Sequence, residues 1–463
     1  MSQEENLLRE AYQKKGIGPK GSRKVDPNLI ARVLPVLSNS EVNLNTRAAF
    51  WVTCLLLECS EEEEKILDPY ILNPEEHLPL ELQAFSKPSL YEGELQRFLV
   101  LINQVIQAKD LTASEAQEAM DYFWSATIPQ WPKGAFLQVM RIKRESLVEN
   151  FTFFNSMYDQ SKRHEVDLPC LFDLCDSYDG TNRSYHLAPF MAPILAAMGY
   201  PAVVHGVLSM GPKYGITNHQ LLKLNEKPTL LSLEEATQRL LNPDIGWCYI
   251  DQAAHFPDLF ALEGLRRDIL KRPFLSTFEK LLQPIRNKKG NIVITGYVHA
   301  PYRERLVNLM YTQGRCEMFF ALRSIEGSTN CRLHKDTGVL GYRVKQGQPP
   351  TIDIHDIPER PDDEAQWLRD HGVIPIDTTL QPASFGIRPT QSELIRDITT
   401  ERISDNALKA LAGEQGLVFD LLTFHVGAFL ALAGKVGSQR EAAAQVREVL
   451  LSGKALQHWQ AYQ

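Results

Sequence analysis

The chain is 463 residues long, 44% hydrophobic and 23% charged, with a net charge of −8. That length allows a large core and two or more domains, and the acidic balance argues against bulk nucleic-acid binding, which relies on basic surface. No apolar run approaches the roughly 18 residues of a membrane span, the start Met1-Ser-Gln-Glu-Glu-Asn carries no secretory signal, and seven cysteines without C-x-x-C spacing fit reduced thiols in a cytoplasm better than a disulfide scaffold.

Residues 1 to about 165 read as helical. Apolar residues recur at helical spacing in the stretches from Leu29 to Leu37 and from Leu95 to Ile106. Thr112-Ala-Ser-Glu115 is a capping-box pattern that starts a helix just after Leu111. Pro69, Pro74, Pro79 and Pro88 predict an irregular linker. Ala49-Phe50 and Ala135-Phe136 stand 86 residues apart. At that offset Val25 faces Leu111, Val42 faces Ile128, Arg47 faces Lys133 and Leu56 faces Ile142 without gaps. The pattern predicts an extra helical unit over 1–67, a linker over 68–92 and a second helical domain over 93–165.

From about 166 short β-rich runs alternate with helical stretches: Leu168 to Leu174, Ala202 to Val204, Trp247 to Ile250, Ile292 to Thr295, Glu317 to Leu322 and Ile352 to Ile354. Alternation of this kind predicts an α/β domain over 166–463 with a mainly parallel sheet. Ligands bind such sheets at the carboxyl ends of the strands. The stretch Leu417 to Trp459 is helical again, interrupted at Ser452-Gly-Lys454.

Several motifs carry chemistry weakly. Gly16-Ile-Gly-Pro-Lys-Gly21 has the letters of a dinucleotide loop but follows no strand. With Lys14, Lys15, Arg23 and Lys24 it reads as a basic arm. Asp353-Ile-His-Asp356 groups possible metal ligands without a second cluster. No nucleophile elbow, zinc-protease helix or Walker loop is present, so no catalytic residue is assigned. The stretch from Asp176 to Gly206 is more informative. A polar loop containing Asp179, Gly180 and Arg183 precedes an apolar helix, His186 follows it, and His205-Gly206 closes the next strand. Backbone N–H groups at such a loop can hold an anion. Arg266 and Arg272, in a basic run before Pro273, would add cations to the pocket.

At these residues the chain resembles the glycosyltransferase family 3 group, which includes anthranilate phosphoribosyltransferase. Lys133 to Glu145 looks like that family's helical signature, and Ser452-Gly-Lys-Ala-Leu456 like its C-terminal end. Tyr178-Asp-Gly-Thr-Asn-Arg183, Thr277 to Pro284, Gly296-Tyr-Val-His299 and Glu326-Gly327 are similar to the divergent YbiB-type branch. The resemblance implies a small helical domain with a large nucleoside phosphorylase/phosphoribosyltransferase-like α/β domain, and a homodimer. It implies transfer of phosphoribosyl from phosphoribosyl pyrophosphate (PRPP) to an aromatic amine, as in tryptophan biosynthesis. Asp179, Gly180, Arg183, His186, His205, Gly206, Arg266, Arg272 and Glu326 are the phosphate- and substrate-binding candidates. The alternative, implied by the YbiB-type branch, is a non-catalytic protein that binds phosphate or single-stranded nucleic acid.

The departures from the family pattern bear on activity. The family's Gly-Thr-Gly-Gly-Asp stands as Asp176-Ser-Tyr-Asp-Gly180, and its hydroxyl pair falls at Ala188-Pro189. Its Lys-His-Gly-Asn reads Val204-His-Gly-Val207, and its magnesium-binding Asp-Glu pair aligns with Thr329-Asn330. Pyrophosphate is a charged leaving group, so losing a lysine and a magnesium together removes much of its neutralisation. Efficient magnesium-dependent transfer to anthranilate is therefore not expected.

Overall fold

The computed structural model describes residues 2–15, 25–312, 316–345 and 361–463. Most of the basic arm and the Asp353-His355-Asp356 cluster lie outside the described residues. The chain forms two compact units, Met1–Asp159 with Ala261–Phe278, and Gln160–Phe260 with Glu279–Gln463.

The first unit is helical: α1 (Gln3–Lys15), α2 (Pro27–Val33), α3 (Leu44–Leu56), α4 (Glu61–Leu72), α5 (Pro74–His77), α6 (Leu80–Gln83), α7 (Gly93–Ile106), α8 (Ala113–Trp124), α9 (Gln130–Lys143) and α10 (Leu147–Gln160). The capping box at Thr112 and Glu115 opens α8 as its spacing requires. The expected linker is more ordered than its prolines suggest. Pro69 lies inside α4, forfeiting one hydrogen bond. Pro74 takes the first position of α5, where the missing N–H costs nothing.

Helices α2, α3 and α4 begin 86 residues before α8, α9 and α10 respectively. The same buried constellation occurs in both sets. Glu63 Oε1 accepts the Val25 N–H at 3.1 Å and Oε2 the Ser60 N–H at 2.8 Å. Glu149 accepts the Leu111 N–H at 2.9 Å and the Ser146 N–H at 2.7 Å. Each carboxylate ties the first turn of its own helix to the residue entering the earlier helix. Helices α3 and α9 pack on each other. Where they touch, Gln138 Nε2 donates to Thr53 Oγ1 at 3.0 Å, both residues fully buried.

The segment Ala261–Phe278 also folds with this unit, although the expected boundary assigned everything beyond 166 to the α/β domain. The reason is local bonding. Asn43 and Asn45 donate to Asp268 Oδ2 at 3.0 and 2.9 Å, and Thr46 Oγ1 donates to the Asp268 carbonyl at 3.0 Å. At Gly134 an added Cβ would stand 3.0 Å from Leu265 Cδ1 and 3.2 Å from Ile269 Cγ2.

The second unit carries β1 (His164–Val166), β2 (Phe172–Cys175), β3 (Ala202–Gly206), β4 (Trp247–Asp251), β5 (Ile285–Asn287), β6 (Asn291–Tyr297), β7 (Cys316–Arg323), β8 (Thr337–Val344) and β9 (Val373–Leu380). Seven form one sheet in the order β4-β3-β2-β6-β7-β8-β9, and β1 pairs with β5. The pairs from β4 to β7 are parallel, whereas β8 and β9 add in antiparallel fashion. The parallel strands β2, β3, β4 and β6 are buried along their whole length, as strands covered on both faces must be. The helix Ala188–Ala197 is apolar all round and nearly all buried. The helices Leu417–Leu432, Gln439–Leu451 and Lys454–Ala461 close the core. Trp247 stacks on Tyr462 with ring centroids 4.2 Å apart. Among the described residues no helix is long and apolar enough to cross a membrane. The carboxyl ends of β2, β3, β4, β6 and β7 share one edge of the sheet, the position at which α/β folds bind ligands.

Candidate functional site

The loop after β2 is held from beneath. Gly180 has φ +72°, and a Cβ there would meet the Ile216 carbonyl oxygen at 2.4 Å. Only glycine permits that approach. It lets Thr181 N–H donate to Ile216 C=O at 3.0 Å, Ile216 N–H donate back at 2.9 Å, and Gly215 N–H donate to Asp179 C=O at 2.9 Å.

Stapled in this way, the loop aims its next donors at one point. The Asn182 N–H lies 3.0 Å from both Glu326 oxygens, the Arg183 N–H 2.7 Å from Oε2, and Ser184 Oγ 3.2 Å from Oε2. Lys213 Nζ stands 3.6 Å from Oε1 and Arg183 Nε 3.8 Å from it. Glu326 is 4% exposed. The loop thus forms an anion-binding nest, and its occupant is the protein's own carboxylate. Asp179, Gly180, Arg183 and Glu326 were expected to meet, and they do. Within this group Glu326 is the acceptor of the loop's N–H and hydroxyl donors.

His186 and His205, expected among the phosphate- and substrate-binding residues, are both buried. His205 Nε2 lies 3.0 Å from Asp173 Oδ1, and Nδ1 lies 2.9 Å from the Tyr178 hydroxyl. Asp173 stands on β2 beside β3 and is fully buried, so a donor must satisfy it. His205 Nε2–H fills that need, and the Tyr178 O–H then donates to Nδ1. Burial holds the Tyr178 phenol well above its ordinary range, so it remains a donor. His255 Nε2 approaches the same hydroxyl at 3.5 Å. Burial, with the nearby His205 and Arg163, pushes the His255 imidazole down to about 3. His186 Nε2 lies 2.7 Å from Asn218 Oδ1 and 3.4 Å from Asp176 Oδ2. Asn218 in turn donates to the His205 carbonyl at 3.1 Å. Gly206 ends β3 with ordinary contacts only, since an added Cβ would meet Tyr249 Oη at 3.7 Å.

Arg266 and Arg272 lie in the helical unit. Arg266 is 1% exposed and donates to Ser276 Oγ at 2.8 Å. The Arg272 carbonyl accepts from Arg141.

Asp176, Asn218 and the pair His219–Asp251 escaped the reading of the sequence. His219 Nδ1 lies 2.8 Å from Asp251 Oδ2, and Tyr249 Oη lies 3.3 Å from that oxygen. A usable signal was Thr217-Asn218, an N-cap hydroxyl opening a helix shortly after a strand end.

The family's magnesium was tested against Thr329 and Asn330. The Thr329 N–H donates to Asp176 Oδ1 at 2.6 Å, and Asn330 Nδ2 donates to the Tyr185 carbonyl at 2.5 Å. Both side chains are buried and neutral, and among the described residues Asp176 is the carboxylate that the Thr329 backbone meets. The set lacks the paired negative charge that a hard dication takes from such a site, so the residues do not fit it. Asp173, Cys175 and His205 are close enough together to hold a metal ion, but the Asp173–His205 hydrogen bond already uses two of the three.

Comparison with known proteins bears on the fold. The glycosyl transferase family's helical bundle domain matches residues 100–161, from the second half of α7 through α10. The chain is 23% identical over 350 residues to an uncharacterized protein of Aquifex aeolicus, covering 73% of this chain and 93% of that one. It is 22% identical over 353 residues to the anthranilate phosphoribosyltransferase of Brevibacillus brevis, covering 76% and 93%. The structure aligns with that of the Thermus thermophilus anthranilate phosphoribosyltransferase at a TM-score of 0.60 and 18% identity, covering 78% and 98%. The Saccharomyces cerevisiae enzyme in complex with PRPP and Mg aligns at 0.61 and 13%, covering 80% and 97%. Over about three quarters of its length the chain is similar to anthranilate phosphoribosyltransferases. At these identities the solved structures establish its fold. The match to the family's helical domain falls on the second of the two repeated helix sets.

Proposed function

We propose that this anthranilate phosphoribosyltransferase-like chain binds phosphorylated small molecules without running magnesium-dependent transfer from PRPP to anthranilate. One observation carries the reading: the carboxylate of Glu326 fills the loop amides that a ligand phosphate would need. A phosphate entering the loop must displace a buried carboxylate that accepts from two N–H groups and a hydroxyl. Hydrogen bonds to a charged group contribute roughly 1.5–3 kcal/mol each, so displacement costs several kcal/mol. Two further features support the reading. Val204 stands where the family places a lysine, and neutral Thr329 and Asn330 stand where it places carboxylates. The leaving pyrophosphate would be left largely unneutralised.

The test is a calorimetric titration with PRPP, with and without magnesium, beside a turnover assay for pyrophosphate release with anthranilate. The expected result is weak binding that magnesium does not strengthen, and no anthranilate-dependent release. Magnesium-dependent turnover on the order of 1 per second or faster, the ordinary range for enzymes, would overturn the proposal.

A further inference from the structure

Away from the loop, a cavity of about 700 Å³ opens at the carboxyl ends of β6 and β7. Tyr297 ends β6 and Arg323 ends β7. Arg332 lies beyond β7, and Thr378 and Thr379 of β9 line the wall. The helix Pro301–Thr312 presents its N-terminus to the same space.

The charges in this cavity are unevenly satisfied. Arg303 pairs with Asp377 and also lies 3.6 Å from Glu304. Asp336 accepts from Gln381 at 3.1 Å. Arg332 is 9% exposed and donates Nη2 to the Asp336 carbonyl, but its buried Nε has no hydrogen-bond partner. Among the described residues, Arg323 is exposed and no carboxylate is paired with it. The two guanidiniums are close enough to repel. Burial first, and Arg323 second, push Arg332 below its ordinary range. Arg303, Arg323 and Arg332 all act on the Tyr297 phenol, which burial nonetheless holds above its ordinary value.

Two neighbouring guanidiniums with unused donors, beside a helix N-terminus, match the geometry and charge of a phosphate. The volume falls within the range of small-molecule pockets, roughly 300–1,000 Å³, and exceeds what phosphate alone would fill. We propose that this cavity binds the phosphate group of a phosphorylated small molecule between Arg323 and Arg332, with Tyr297 and the β9 threonines against the remainder. The site is separate from the Glu326-filled loop, and the inference does not depend on whether that loop binds a ligand.

The probe is inorganic phosphate, titrated calorimetrically into the full-length chain, its Arg323→Gln variant and its Arg183→Gln variant. Arg323 makes no bond that the fold needs, and Arg183 reports on the loop. Saturable binding that weakens roughly tenfold in Arg323→Gln, as loss of one charge-assisted contact predicts, and stays within about twofold in Arg183→Gln, is the expected result. Thermal unfolding of both variants checks that they fold, and phosphate should raise the melting temperature of wild type and Arg183→Gln more than that of Arg323→Gln. Absence of saturable binding, equal binding by Arg323→Gln, or loss of binding in Arg183→Gln alone would each overturn the proposal.

Discussion

Replacing Glu63 with alanine removes a carboxylate that is 0% exposed from a lysine, Lys15, whose side chain is 2% exposed, 3.0 Å away. It also removes the acceptor for the Val25 and Ser60 amides. Burial raises the affinity of Glu63 for a proton, yet the hydrogen bonds from Ser60, Lys15 and Val25 outweigh it and hold the carboxyl below its ordinary range. Breaking one side of a buried pair costs about 3–5 kcal/mol, so with the Val25 and Ser60 amides also unmet Glu63→Ala should destabilise the helical unit by about 4 kcal/mol, even though Lys15 Nζ keeps its contact with Cys59 Sγ at 3.4 Å. Glu149→Ala removes the equivalent carboxylate with a different consequence. Its lysine, Lys143, also pairs with Asp110, whose side chain is 64% exposed. That second partner remains, so the expected cost is about 2 kcal/mol, chiefly from the unmet Leu111 and Ser146 amides. Urea denaturation supplies the two energies, and hydrogen exchange in the peptides containing Val25 and Leu111 localises them. A cost below about 1 kcal/mol for Glu63→Ala, or a larger cost for Glu149→Ala, would refute the reasoning.

Three more outcomes follow from the same structure. Gly180→Ala combines a positive φ with a 2.4 Å contact to the Ile216 carbonyl, so it should cost about 2–4 kcal/mol in thermal unfolding, whereas Gly338→Ala, with open space around it, should cost little. His425 is fully buried with neither ring nitrogen hydrogen-bonded, and burial pushes it down to about 3. The unfolded chain therefore binds a proton near pH 6.5 that the folded chain refuses, and stability present above that pH falls as pH drops towards 3. His425→Leu should remove about 2 kcal/mol of the loss between pH 7 and pH 5, and an unchanged pH slope in urea titrations would count against it. Finally, α9 is buried over most of its length, with α3 of the same chain packed on it. That face of α9 is therefore not open to a symmetric partner. Light scattering should give a monomer mass, against the homodimer that family resemblance implies, and a stable dimer would show that another surface associates.

The parts of the fold legible in the sequence were those written in local pattern. The runs at Ala202, Trp247, Ile292 and Glu317 became β3, β4, β6 and β7 because continuous apolar runs mark strands buried on both faces. Strands β8 and β9 were missed. Both contain exposed or half-buried polar residues, and antiparallel addition at a sheet edge leaves a weaker signal. The 86-residue offset was readable because equivalent positions keep their helical phase, although Glu63 and Glu149, which anchor the two sets, drew no notice. Tertiary direction was not readable. His205 ends a strand, yet nothing local says that Asp173, 32 residues earlier, needs its proton. Arg266 and Arg272 were expected to add cations to the loop's pocket, but the bonds of Asp268 to Asn43 and Asn45 draw their segment into the helical unit. Glu326 was named as a binding residue, and its distance of more than 140 positions from the loop concealed that it is what the loop binds.

The central claim is that Glu326 occupies the anion nest of an anthranilate phosphoribosyltransferase-like fold. The most direct measurement compares pyrophosphate binding by wild type and Glu326→Ala at the amide resonances of Asn182 and Arg183. Freed of the carboxylate, those amides should shift on titration and report affinity at least tenfold above wild type, the effect of about 1.4 kcal/mol. Unchanged affinity, or amides that stay silent in the variant while pyrophosphate binds elsewhere, would contradict the account.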